Sequence, residues 1–252
     1  MNNVLITGCS SGYGLATALH FYAQGWRVLA AMRRPQAVPD GLLPRSDRFV
    51  PMALDVTDAA SIAHAVHACG PIDVLVNNAG IGLFGAFEAT PLTTVRELFD
   101  TNTLGTMAMC QVVLPQFRER RAGIIVNVTS SAVLAPMPLV AAYTASKTAV
   151  EGFTASLALE LAEFGIRARL VQPGYGPTTR FAANGSERMK GLVPEAYAGL
   201  AQKMFSTLTE LKAVTDEGDV AQAVWLAVTE ADGPLRRPAG ADAVALAQAV
   251  AA

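Results

Sequence analysis

At 252 residues the chain has room for one large α/β domain or two small ones. Hydrophobic residues make up 52% and charged residues only 16%, against an average charged share of about 25%. A large core is therefore expected, with apolar surface to spare for an oligomer interface. The formal charge of −2 gives no reason to expect nucleic acid or an anionic membrane surface as a partner. Cys9, Cys69 and Cys110 are scattered and odd in number, which indicates neither a disulfide framework nor a metal cluster. No apolar run reaches the roughly eighteen residues of a membrane span, and no basic-then-apolar leader opens the chain. A cytoplasmic protein is the expectation.

In chain order, Asn3 to Thr7 is a short apolar run of strand type. Thr7-Gly8-Cys9-Ser10-Ser11-Gly12-Tyr13-Gly14 follows, and then an Ala-rich segment that predicts a helix over Gly14–Gln24. A strand, a glycine-rich turn and a helix N-terminus form a site for a dinucleotide pyrophosphate. The glycines permit close backbone approach, and the unpaired N–H groups of the helix face the phosphates. Further strands are predicted at Arg27–Met32, Phe49–Leu54, Val74–Asn77, Gly123–Asn127 and Arg167–Gln172. Each is short and rich in Val, Ile or Leu, as strands buried on both faces should be. Helices are predicted at Ala59–Ala68, capped by Thr57 or Asp58, and at Thr93–Arg118, Ala142–Glu163 and Asp219–Val228. This alternation implies one Rossmann-like domain of class α/β, a doubly wound parallel sheet with helices on both faces. From Arg180 to Lys212 the alternation stops, and Gly185, Gly191 and Pro194 sit among helix formers. Such a late insertion often covers a ligand.

Two positions carry chemistry. Tyr143 and Lys147 are four residues apart, so on a helix they share one face. The lysine's ammonium is then expected to favour the phenolate and lower a pKa that is ordinarily about 10. The end of the second strand carries the other signal. An acid about 20 residues beyond the glycine loop would bind the adenosine ribose and select NAD(H). This chain places Met32 there, with Arg33 and Arg34 next. A guanidinium binds a 2′-phosphate bidentately. NADP(H) is therefore favoured, with Arg33 the better candidate and NAD(H) left open.

Taken together, these features resemble the short-chain dehydrogenase/reductase family, in its branch of chains about this long. The likeness runs from Asn3 to about residue 178. Thr7 to Gly14 is similar to the family's T-G-x-x-x-G-x-G loop, and Leu54-Asp55-Val56 to the segment that flanks the adenine. Asn77-Asn78-Ala79-Gly80 is similar to N-N-A-G, and Asn102 to Gly105 to N-x-x-G. Ser130, Tyr143 and Lys147 are similar to the catalytic serine and Y-x-x-x-K. Pro173-Gly174 is similar to the turn beside the nicotinamide. The resemblance implies hydride transfer between nicotinamide and a carbonyl or alcohol carbon. Tyr143 would exchange the proton, Ser130 would bond the reacting oxygen, and Lys147 would lower the phenol's pKa and hold the ribose. Asn102 would maintain a helix distortion and a water. Thr129 and Ser131 are hydroxyls adjacent to Ser130, which is preferred on its thirteen-residue spacing from Tyr143. The resemblance also implies cofactor contacts from Gly8, Ser10, Ser11, Gly12, Tyr13, Gly14, Asp55, Val56, Asn78, Ala79, Gly80, Pro173, Gly174, Gly176 and Thr178. It implies a substrate lid at about residues 176–213, a homodimer or homotetramer, and no metal.

The chain departs from the pattern in two places. Tyr175-Gly176-Pro177-Thr178 stands where the family usually has Val or Ile before Thr, and Pro177 has no N–H. Leu235 to Gly240 replaces a frequent glycine-rich last strand, before a low-polarity helix candidate at Ala241–Ala252. Pocket segments Ser131–Ala142 and Tyr175–Lys212 carry Val133, Leu134, Met137, Leu139, Tyr175, Phe181, Met189, Leu192, Tyr197, Met204 and Phe205. That mixture favours a fairly large, apolar ketone, aldehyde or alcohol. A cofactor-sensing regulator is the alternative, although it need not keep Ser130, Tyr143 and Lys147 together. Nucleotide-sugar relatives have a longer chain and another glycine spacing. Dehalogenase relatives lack the loop and the lysine.

Overall fold

The computed structural model describes residues 1–179, 181–211 and 213–251. Its strands are β1 (Asn3–Thr7), β2 (Arg27–Met32), β3 (Phe49–Ala53), β4 (Val74–Asn77), β5 (Gly123–Val128), β6 (Ile166–Pro173) and β7 (Arg236–Ala239). The helices are α1 (Gly12–Ala23), α2 (Ala59–Cys69), α3 (Leu92–Phe99), α4 (Gly105–Arg120), α5 (Ala141–Ala162), α6 (Phe181–Met189), α7 (Ala198–Thr209), α8 (Glu217–Thr229) and α9 (Ala241–Ala251). Of the two candidate caps for α2, Asp58 is the one used, accepting from the N–H groups of Ala60 and Ser61.

Apolar residues at both parities of the strands dictate a core on each face. Val4 and Ile6 point to one side of β1 and Leu5 to the other, all fully buried. The same alternation places Val28, Val76 and Val126 on the first side and Leu29, Leu75 and Ile125 on the second. Helices α1 and α8 cover the first with Phe21, Val220 and Val224. Helices α2, α4 and α5 cover the second with Ile62, Met109, Phe117 and Leu157. The seven strands run parallel in the order β3-β2-β1-β4-β5-β6-β7. The order reverses between β1 and β4. In open α/β sheets, ligands bind at such a reversal, beyond the carboxyl ends of the strands.

Two elements differ from the sequence expectation. The single helix expected over Thr93–Arg118 is divided by a π-helical turn at Asp100–Leu104. There the buried Asn102 turns its amide onto the backbone of Ile81, accepting from its N–H at 2.8 Å and donating to its carbonyl at 3.0 Å. Just beyond, Gly105 lies so close to Val56 that a Cβ would sit 2.9 Å from the Val56 carbonyl oxygen. Tertiary bonding overrides helical periodicity at this point. The second difference is β7, which forms where no strand was expected and pairs with β6 from Leu170–Arg236 to Pro173–Ala239. It is an edge strand, where a proline such as Pro238 is tolerated and charged residues blunt the free edge. The terminal helix expectation agrees with α9.

Phe117 is fully buried and packs against β5, where a Cβ at Gly123 would lie 2.3 Å from its ring. Phe117→Ala should lower unfolding free energy by about 3–5 kcal/mol. Urea titration followed by circular dichroism would measure it, and a loss below about 1 kcal/mol would contradict this packing.

Candidate active site

Thr7, the last residue of β1, fixes the entrance to the site. Its hydroxyl oxygen accepts from the N–H groups of Asn78 and Ala79, each at 3.0 Å, and its carbonyl accepts from the Asn78 amide at 2.9 Å. These bonds fasten the segment after β4 to the segment after β1. Between them the glycine loop has no spare room. A Cβ on Gly14 would lie 2.4 Å from both the Asn78 amide nitrogen and the Gly8 carbonyl oxygen. Gly8 also has φ +77°, a left-handed conformation that disfavours side chains.

A cavity of about 1110 Å³ opens here along the carboxyl ends of the strands. It is larger than the roughly 300–1,000 Å³ of common ligand pockets, so there is space for a dinucleotide and a second ligand. Its wall includes the expected Gly8, Ser10, Ser11, Gly12, Tyr13, Gly14, Arg33, Asp55, Val56, Asn78, Ala79, Gly80, Ser130, Tyr143, Lys147, Pro173, Gly174 and Gly176. Two of the expected cofactor contacts are not on that wall. Arg34 is exposed and leads into a short 3-10 turn at Pro35–Ala37. Thr178 donates its hydroxyl to Glu217 at 2.9 Å, while Thr179 takes the place on the wall. The turn explains the shift. Thr179 folds back, with its N–H and its hydroxyl both donating to the Gly176 carbonyl. Arg180, Lys212 and the side chain of Phe181, all within the expected lid, lie outside the described residues.

Helix α5 presents Tyr143 and Lys147 to the cavity one turn apart. Ser130 is on the same wall, close enough for its hydroxyl to pull the Tyr143 phenol's pKa down. The neighbouring hydroxyl of Thr129 is buried and points to Glu151 at 2.7 Å, which leaves Ser130 as the one in register with the phenol. Lys147 is buried and its Nζ donates to the Val128 carbonyl at 3.0 Å. Burial pushes the amine down to about 8. Burial also pushes the phenol up to about 12, with the Ser130 hydroxyl pulling the other way. The expected lowering of the phenol's pKa by Lys147 is therefore corrected: desolvation by burial outweighs the pull of Ser130, and the shift is upward.

Asn102 lies behind these groups rather than on the cavity wall. Its amide donates to Ser146 Oγ at 3.1 Å, and that hydroxyl donates to the Tyr143 carbonyl at 2.7 Å. A Cβ on Gly80 would fall 3.2 Å from Asn102 Oδ1 and 3.3 Å from Lys147 Nζ. The asparagine thus ties the loop after β4 to the helix that carries the phenol.

At the adenosine end, Asp55 Oδ1 accepts from the Thr57 N–H at 2.9 Å and from its hydroxyl at 2.7 Å. The N–H bond, above all, holds the carboxyl below its usual range; the Thr57 hydroxyl and Arg33 act in the same direction, against burial.

Sequence reasoning missed how the turn after β6 is held. Asp242 at the start of α9 accepts from the Tyr175 N–H and from Thr215 Oγ1, both at 2.6 Å. A Cβ on Gly174 would lie 2.2 Å from its carboxylate oxygens. Tyr13 reaches across from the glycine loop to the same turn, its hydroxyl 3.5 Å from the Gly174 carbonyl. Its phenol is pushed up by burial and then by Asp242. It occupies the space a side chain at 176 would need, since a Cβ on Gly176 would sit 2.1 Å from the hydroxyl. The Tyr13 and Gly176 pairing was the available signal. Asp242 gave none, because an acid in the first turn of a helix is common.

The family model for short chain dehydrogenases matches residues 2–189. The chain belongs to this family. It is 34% identical over 253 residues to a retinol dehydrogenase 8 from Homo sapiens, covering 93% of this chain and 80% of that protein. A short-chain dehydrogenase from Streptomyces avermitilis superimposes with a TM-score of 0.85 at 35% identity, over 99% of this chain and 92% of that one. Another from Burkholderia cenocepacia, solved in complex with NADP, gives a TM-score of 0.80 at 25% identity, over 100% and 93%. Several further curated relatives, at 38–40% identity, align over only 53–69% of their own lengths. The family's class is that of oxidoreductases acting on alcohol and carbonyl groups. The glycine cradle, with no room for side chains at 8 and 14, fits a nicotinamide dinucleotide. Among the described residues no helix is long and apolar enough to cross a membrane.

Gly14→Ala would force the loop away from both Gly8 and Asn78. The dissociation constant for a nicotinamide dinucleotide, read by fluorescence titration of the reduced form, should rise at least about tenfold, or 1.4 kcal/mol. Unaltered affinity would contradict the cradle.

Proposed function

We propose that the protein is an NADP(H)-dependent reductase of fairly large, apolar ketones or aldehydes, with Tyr143 as proton donor. The observation that carries this reading is the placement of Ser130, Tyr143 and Lys147 together on the wall that also holds the glycine loop. When bound, the reduced nicotinamide supplies the hydride. Ser130 and Tyr143 then hold the substrate oxygen between two hydroxyl groups, where charge develops as the carbonyl is reduced. Tyr143 gives its proton to that oxygen. A phenol kept neutral by burial is suited to this direction, since it remains a donor throughout the neutral range. Lys147, charged below pH 8, stabilises the phenolate that proton transfer leaves behind and orients the ribose. Asn102 positions Tyr143 through Ser146.

NADP(H) is supported by the exposed guanidinium of Arg33 on the cavity wall and by Met32 where an acid would oppose a 2′-phosphate. The nearby Asp55 carboxylate is occupied by Thr57. An apolar substrate is supported by Leu83, Phe84, Met137, Met204, Phe205 and Leu208 on the wall, and by the relative named for retinol. Exposed Leu104, Val112 and Leu159 on and beside α4 and α5 support a homodimer or homotetramer. Three buried free cysteines agree with a cytoplasmic protein.

Turnover of a panel of apolar carbonyls, followed at the reduced-nicotinamide band, tests the reading. Tyr143→Phe should lower kcat by about a hundred- to ten-thousand-fold while leaving the coenzyme bound. Equal turnover in the variant would remove Tyr143 from its role. Coenzyme binding without turnover of any carbonyl by the wild type would favour a sensor instead. For the coenzyme, kcat/KM with NADPH should exceed that with NADH at least about tenfold, and Arg33→Ser should erase most of the difference. An NADH preference would reject the argument. The Lys147 amine is charged below about 8 and neutral above. Hence kcat/KM for reduction should be level at lower pH and decline as pH rises through that value; an increase there would contradict the role given to the charge.

A further inference from the structure

Arg188 stands apart from the rest of the lid. It is on α6, its side chain is 23% exposed, and it lines the same cavity as Tyr143. Among the described residues of α6 and α7 on that wall it alone is charged; Met189, Met204, Phe205 and Leu208 are apolar. Its Nε is buried and makes no hydrogen bond among the described residues. The nearest carboxylate, Glu97 Oε2, is 3.8 Å away, beyond hydrogen-bond reach, and its side chain is 64% exposed. The residues just after α6 are held in place: the Ala86 N–H donates to the Leu192 carbonyl at 2.8 Å, and Leu192 packs with Leu98 and Tyr143. A buried donor without an acceptor is costly. Glu97 and Asp100 stand on the same wall, but neither bonds this Nε, and a guanidinium is the group best matched to a carboxylate, which it binds bidentately.

We propose that Arg188 makes this site selective for apolar carbonyl compounds that carry a carboxylate remote from the carbonyl. The substrate's carbonyl takes its place at Ser130 and Tyr143, its apolar body lies along the methionine and phenylalanine wall, and its carboxylate completes the hydrogen bonding of Arg188. This rests on the reductase reading above and adds the substrate class to it. A structural role would be different: Arg188 and Glu97 would only fasten α6 to α3.

The experiment compares a long-chain oxo acid with its methyl ester as substrates in the presence of NADPH, for wild type, Arg188→Gln and Glu97→Gln. The acid should be preferred in kcat/KM at least tenfold by the wild type. Arg188→Gln should lower that ratio at least tenfold. Glu97→Gln, which removes a competing acceptor, should keep or raise it. A wild type that favours the ester, or an acid-to-ester ratio that Arg188→Gln leaves within twofold, overturns the proposal. So do equal changes of the ratio in both variants, the mark of a fastening pair. A second readout does not need turnover: binding of decanoic acid and methyl decanoate to the coenzyme-loaded protein by calorimetry. Acid binding weakened at least tenfold by Arg188→Gln, with no carbonyl reduced, would reject the reductase reading and keep the carboxylate site. Equal binding of acid and ester would reject the carboxylate site alone.

Discussion

The site is organised by the bonds that Thr7 makes to Asn78 and Ala79. They join the two strand ends at the point where the sheet changes direction. One hydroxyl and one carbonyl, both at the end of β1, satisfy three N–H donors of the neighbouring segment. Buried donors would otherwise go unpaired at a cost of about 1–3 kcal/mol each. From this junction a hydrogen-bonded route continues through Ile81 to Asn102, then to Ser146, and ends on the carbonyl of Tyr143. The coenzyme cradle and the phenol are parts of one polar framework, set between two apolar cores that do not themselves specify where the phenol lies.

Burial then decides the chemistry. The same low-dielectric setting that raises the phenol lowers the amine beside it. Both groups move towards their neutral forms. In the proposed reaction, a tyrosine in this state would give up its proton to a developing alkoxide while the amine is still charged below about 8. That balance would favour reduction, as would NADP(H) selection at Arg33.

Much of this was legible in the sequence, for identifiable reasons. The strands were readable because both parities of β1, β2 and β4 are apolar. The cradle was readable because Gly8 and Gly14 leave no space for side chains. Ser130, Tyr143 and Lys147 kept their spacing into the site. What stayed hidden depends on contacts between distant residues. The π-turn at Asn102 is set by Ile81; helical periodicity over Thr93–Arg118 does not announce it, and only the family resemblance pointed to a distortion there. β7 is mostly Arg and Pro, without the alternation that marks a strand, and it forms because β6 offers an edge. Its Arg236 is bonded to Glu151 at 2.9 Å, a buried carboxylate that also accepts from Thr129 and Gln172. The phenol's acidity was misjudged because spacing gives the distance to Lys147 but not the depth of burial. Thr179 rather than Thr178 stands on the wall because it folds back onto the Gly176 carbonyl.

The carboxylate of Asp242 has a consequence for how the whole chain tolerates change. It reaches from the last helix into the turn beside the redox site, and Ala245 and Leu246 stand on the cavity wall behind it. A displacement of α9 would therefore be felt at the turn after β6, so the wall of the cavity is braced by a helix remote in sequence from the glycine loop it faces.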